Sequence, residues 1–259
     1  MSASVVPALS EDPRLRYLLR LADTSLILGQ RLSEWVGHAP ALEEDLGLAN
    51  IALDLIGQAR LLLSYAAELE GRGRTEDELA FLRDAAQFLN LTLVEQPNGD
   101  FGHTVVRQLL VSAFQLELYT ALQTCADRRL AEIAAKAVKE TQYHVRYSAS
   151  WVVRLGDGTA ESHARVQNAL TQLWPFTTEL FAADGVDAAM IAAGIAPDAA
   201  ALRTLWSARI NAVLAEATLT RPADAPYPWH GKRGVHSEHL GYMLAEMQFL
   251  QRAYPGAEW

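Results

Sequence analysis

The chain has 259 residues, 50% of them hydrophobic and 20% charged, with a formal net charge of −9; this suits a sizeable core, in one large domain or two small ones, and excludes wholesale disorder. The acidic balance disfavours nucleic acid as a general partner, while the single cysteine, Cys125, excludes an internal disulfide framework and fits a reducing compartment. The opening "MSASVVPALSEDPR" lacks a basic stretch followed by an apolar one, and no apolar run approaches the roughly 20 residues that span a bilayer, so the expectation is a soluble, cytoplasmic chain with no membrane contact.

Nearly every long segment has helical spacing. Asp12 before Pro13 reads as an N-cap with proline at the first helical position, and Leu15, Leu18, Leu19, Ala22, Leu26, Gly29 and Leu32 then recur at three- and four-residue steps. The predicted first helix covers about 14–36 and ends at Gly37. A second, about 43–69, is apolar nearly all round through "LANIALDLIGQARLLL", which places it at the centre of the fold. Thr75 and Glu78 form a capping box for a shorter helix through Phe88, and "EQPNGD" is the clearest turn. Long helices follow at about 101–124 and 128–155, the latter closed by "GDG". The C-terminal part, about 160–259, carries shorter helices at 160–173, 175–182, 187–193 and 198–218, a Pro-rich loop "TRPADAPYPWHGKRG", and a last helix from Ser237 to Ala253.

No alternating strand pattern, short repeat or low-complexity tract is present. The fold class is therefore all-α. Short connections make helices one and two, and three and four, antiparallel hairpins joined by a crossover. That is a single ferritin-like four-helix domain with a helical C-terminal extension.

Polar residues inside the apolar stretches of the long helices are few. They are Asp23, Asp54, Glu117 and Glu140, one per helix, and antiparallel folding brings Asp23 level with Asp54 and Glu117 level with Glu140. One acid per helix is how a di-metal carboxylate site begins, but such a site also needs a Glu-x-x-His pair on each of two helices. Three residues past Asp54 is Gly57, and that helix has no histidine. In "KETQYHVRYS", three past Glu140 is Tyr143, with His144 one place too far. A one-residue shift turns a helical side chain by about 100°. The residues thus read as an incomplete ligand set or an ordinary i,i+4 pair, with Arg20, Arg31, Arg60, Arg107, Lys136, Lys139 and Arg146 as bases for the acids.

Other chemistry is thinner. His236 and His239 in "HSEH" lie three apart at a helix start, without an evident third metal ligand, and Ser237 reads as a cap. Cys125 reads as a small buried residue, and Tyr147 and Trp151 as core. No Gly-x-Ser-x-Gly, P-loop or dinucleotide fingerprint occurs.

The stretches "LSEWVGHAPALEEDLGLANIALDLIGQARLLLSYAAELEG", "LVEQPNGDF", "KETQYHVRYSASWVVRLGDGT", "LWPFTTELF" and "GKRGVHSEHLGYMLAEMQFLQR" stand in an order and spacing that resembles the non-catalytic C subunit of phenylacetyl-CoA epoxidase, a multicomponent ring monooxygenase. The likeness runs from about residue 14 to the C-terminus. It implies a ferritin-like fold, and pairing with a homologous A subunit that carries the di-iron centre. It further implies a small B subunit, a reductase with FAD and an iron–sulfur cluster that uses NADPH, and no cofactor in this chain. On this resemblance Asp54, Glu117, Glu140 and His144 are vestigial ligand positions. Lys232 and Arg233, between Gly231 and Gly234 before a helix N-terminus, are expected to contact CoA phosphates or an acidic strip of the partner. A self-sufficient di-iron oxidase with an atypical ligand set is the alternative.

Overall fold

The computed structural model describes residues 10–257. Its helices are α1 (Pro13–Ser33), α2 (Leu42–Glu70), α3 (Glu76–Phe81), α4 (Phe101–Leu122), α5 (Arg128–Gly156), α6 (Ala160–Leu173), α7 (Gly185–Ala192), α8 (Ala199–Glu216), α9 (Glu238–Met247) and α10 (Phe249–Ala253), and no strand occurs among the described residues. The starts follow local chemistry. Asp12 accepts from Arg14 N at 2.8 Å with proline at the first turn of α1, and the Thr75–Glu78 capping box opens α3.

Two helical hairpins, α1–α2 and α4–α5, form the body, and α2 packs on α5 to join them. Leucines, valines and alanines of all four helices fill a continuous core. The extension closes around it. Helices α6 and α8 lie on α4 and α5, α7 lies on α1, and Trp206 of α8 donates Nε1–H to Leu110 O at 2.9 Å. This is the ferritin-like order anticipated from the connection lengths.

Three local expectations change. The helix expected through Phe88 stops at Phe81, and 3-10 turns at Ala85–Gln87 and Thr92–Glu95 carry the crossover. Arg83, fully buried, holds this segment to α1 by pairing with Asp23. The last helix breaks at Gln248, whose amide donates to Ala80 O and Arg83 O at 3.2 and 3.0 Å.

The third correction concerns α2, which is not central. Leu42, Leu46, Leu53 and Ile56 lie within one arc of the helix and are exposed, Leu42 by 71% and Leu53 by 66%. The opposite arc, with Leu48, Ile51, Leu55 and Leu62, is buried. An apolar sequence all round the helix therefore reflects two different surfaces, one internal and one external. With a mean hydropathy of 1.4 over 18 residues, half of them buried, α2 is long and apolar enough to cross a membrane by length and composition. The core helix of a soluble protein meets the same criterion.

Asp127 ties the hairpins at their far end. Its carboxylate caps α5 through Leu130 N at 3.1 Å and accepts from Arg14 Nη2 at 2.6 Å and Tyr65 Oη at 2.9 Å. Burial pushes this carboxyl up, but the Leu130 amide, Arg14 and Tyr65 outweigh it and hold it below its ordinary value. Asp127→Ala is expected to cost about 2 kcal/mol at neutral pH, the loss of a cap and of charge-assisted bonds. Because the folded pKa lies below the unfolded one, this stability is fully present above about pH 4 and is lost as pH falls through the folded value. Urea melts of both proteins at pH 7, 4 and 3 check this: the gap should narrow only in the acid samples.

Candidate functional site

Where the four long helices face each other, each contributes a polar group to the interior. Ser25 of α1 accepts from Gln115 Nε2 of α4 at 3.3 Å, and its hydroxyl meets Tyr119 Oη of α4 at 3.4 Å. Gln58 of α2 donates Nε2–H to Glu140 Oε2 of α5 at 3.0 Å. Burial, with a smaller contribution from the Glu140 charge, pushes the Tyr119 phenol up to about 12, against the Ser25 hydrogen bond. Glu140 Oε1 faces Lys136 Nζ at 3.6 Å. One carboxylate, four neutral groups and an ammonium surround this level of the bundle.

The other residues of the anticipated set point elsewhere. His144 is fully buried, and its Nε2 bonds Asp54 Oδ2 at 3.1 Å while Nδ1 has no partner. Residues Glu140 and His144 share a side of α5, yet Glu140 meets Gln58 and His144 meets Asp54, one helical turn earlier on α2. Glu117 does not approach Glu140. It turns to α8, where Arg209 Nε and Nη2 donate to its Oε1 at 2.9 and 2.6 Å. Asp23 is likewise not level with Asp54, because Arg83 and Leu89 N, the latter at 2.8 Å, hold it on the crossover. Antiparallel pairing set the heights along the hairpins but not the azimuth of each side chain, and the cations that claim Asp23 and Glu117 lie outside the long helices.

A di-iron centre of the ferritin-like kind does not fit these residues. It needs several acids and two histidines converging, and among the described residues no group of three or more His, Cys, Asp or Glu is placed to hold a metal ion. Ser25, Gln58, Gln115 and Tyr119 were not singled out in the sequence. Their mutual alignment on facing helix interiors was the available signal, and neutral polar residues at helical spacing resemble surface positions too closely to expose it.

The basic loop is internally committed. Lys232 Nζ donates to Ala182 O at 2.6 Å and pairs with Asp187 Oδ2 at 3.3 Å, while its backbone N–H donates to Glu179 Oε1 at 3.0 Å. Arg233 faces Asp184 at 3.4 Å and remains more than half exposed. The glycines serve chain packing rather than an open approach: a Cβ on Gly231 would collide with Asn90 O, and one on Gly234 (φ 80°) with Ala86 O. Ser237 occupies the N-cap of α9, but its hydroxyl makes no capping bond. His236 Nε2 meets Phe88 O at 2.8 Å and its ring faces the buried Glu95, so it secures the same loop rather than pairing with His239.

Tyr147 and Trp151 donate to Glu44 Oε2 at 2.6 and 2.8 Å, joining α5 to the start of α2. Burial pushes the Cys125 thiol up, disfavouring the nucleophilic thiolate.

The sequence matches the phenylacetic acid catabolic protein family over residues 2–259. It is 55% identical over 243 residues, 94% of this chain and 98% of the relative, to the Escherichia coli (strain K12) protein named as the C subunit of 1,2-phenylacetyl-CoA epoxidase. Among solved structures, a Synechococcus protein with aldehyde deformylating oxidase activity superposes with a TM-score of 0.58 at 17% identity, covering 82% of this chain and 93% of that one, a likeness of fold alone. By sequence over nearly its whole length and by its helical architecture, the chain belongs to the phenylacetic acid catabolic protein family.

Proposed function

We propose that this chain is the structural C-type subunit of a phenylacetyl-CoA epoxidase complex and performs no redox chemistry itself. The carrying observation is the interior of the bundle, where one carboxylate, Glu140, stands among Ser25, Gln58, Gln115 and Tyr119. Near-full-length identity to a protein so named supports the same reading. In it the di-iron centre belongs to a homologous A subunit, with a small B subunit and a reductase carrying FAD and an iron–sulfur cluster, all in the cytoplasm. The exposed Leu42, Leu46, Leu53 and Ile56 of α2 supply an apolar surface for the catalytic subunit.

The mechanical role follows from the hydrogen bonds. Neutral groups that satisfy one another give a bundle whose shape does not depend on a bound ion. A rigid homologous bundle can then hold a partner's ligand helices in register. Glu140→Ala and His144→Ala should each lower stability by about 1 kcal/mol or somewhat more. Turnover per assembled complex should stay within about twofold of the wild type, since neither group meets substrate. Steady-state epoxidation by the co-expressed complex, normalised to assembled protein, tests this. A hundredfold loss of turnover in fully assembled complex would assign chemistry to this chain instead.

A further inference from the structure

A second feature lies on the other side of α1 and α4. Between these helices, the 3-10 segment Trp174–Phe181, α7 and α8 is a cavity of about 720 Å³ of empty space, counting its opening, and none of its wall comes from α2 or α5. Leu21, Phe114, Leu118, Leu180, Phe181 and Leu202 supply an apolar lining with two aromatic rings, which meet edge to face at 5.7 Å between centroids. Such a lining suits a flat ring.

Two wall residues carry buried polar atoms without a hydrogen-bond partner, Tyr17 Oη and Gln115 Oε1. Tyr17 is 5% and Gln115 2% exposed. Gln115 uses its amide N–H on Ser25, so its oxygen remains an acceptor in want of a donor. Leaving such atoms unpaired in an apolar surround is costly, and a ligand hydroxyl can both donate and accept. The charges at the edge of the cavity are already matched: Arg20 pairs with Asp184 at 2.6 Å and Asp187 at 3.3 Å, and Lys232 with Asp187 at 3.3 Å. An ionised ligand would have to break these pairs.

We propose that this cavity binds a small, uncharged aromatic molecule bearing one hydroxyl group, with the ring in the apolar lining and the hydroxyl between Tyr17 and Gln115. The site is independent of the epoxidase reading above, since it uses no residue of α2, α5 or a partner.

Calorimetric titration of the full chain with phenol, toluene and benzoate tests the site. Phenol should bind saturably at one site per chain, about tenfold more tightly than toluene, the equivalent of one buried hydrogen bond. Benzoate should bind at least as weakly as toluene. Tyr17→Phe, which removes an unpaired hydroxyl and should melt no lower than wild type, should erase most of the phenol preference while leaving toluene unchanged. Gln115→Met should do the same. Ile191→Trp, at a partly exposed position of the wall, should block both ligands without overpacking the core. Absence of saturable phenol binding, equal affinity for phenol and toluene, or phenol affinity unchanged in Tyr17→Phe and Gln115→Met would each overturn the proposal, leaving the cavity to solvent.

Discussion

Replacing Arg83 with alanine is expected to destabilise the protein by about 3–5 kcal/mol, the cost of leaving a buried charge without its partner. Both Arg83 and Asp23 are 0% exposed, and the guanidinium also donates to Gln87 O at 2.9 Å and stacks over Phe88 at 4.3 Å. Asp23 in turn accepts from Leu89 N at 2.8 Å, so one pair fixes the whole crossover between the hairpins. Arg83→Ala orphans Asp23 and two backbone carbonyls together. Asp23→Asn/Arg83→Met should cost less than Arg83→Ala alone, because neither charge is then stranded. Equilibrium urea unfolding measures both. A loss under about 1 kcal/mol for Arg83→Ala would mean that the crossover is held by apolar contacts alone.

The second large effect concerns assembly. Leu46→Glu with Leu53→Glu places two carboxylates on the exposed arc of α2. The isolated chain should keep its stability within about 1 kcal/mol, since both side chains already face water. Binding to the catalytic subunit should fall by at least about a hundredfold, as expected for desolvating unpaired charge at the centre of an apolar interface. Co-purification followed by calorimetry on the separated partners distinguishes the outcomes. Wild-type affinity in the double variant would move the interface to another face of the molecule.

The sequence carried the architecture well because the helix signals are local. Caps such as Asp12, Thr75 and Asp127 are written within three residues of the bond they make, and the long apolar periodicities leave little choice of element. Side-chain destinations were less legible. Glu117 pairs with Arg209, 92 positions away, and Asp23 with Arg83 across 60, so no window around either acid contains its partner. Hydropathy alone could not divide α2 into a buried and an exposed arc, because both arcs are leucine-rich. Gly231 and Gly234 looked permissive for a ligand, when the backbone they admit is the chain's own segment 86–92. The missing Glu-x-x-His spacings were plain in the sequence; the hydrogen-bonded set at the same level of the bundle, Ser25, Gln58, Gln115 and Tyr119, was visible only once the helices were placed.

Iron stoichiometry tests the account of a structural, metal-free bundle most directly. The purified chain, incubated anaerobically with excess ferrous iron, desalted and analysed for metal, should retain well under one iron per chain, with no optical or Mössbauer signature of a coupled di-iron centre. The reason is the single carboxylate, Glu140, at the level where the four long helices meet, and the capture of His144 by Asp54 at 3.1 Å. Two tightly held irons per chain, lost on Glu140→Ala, would contradict the account and make this protein an oxidase in its own right.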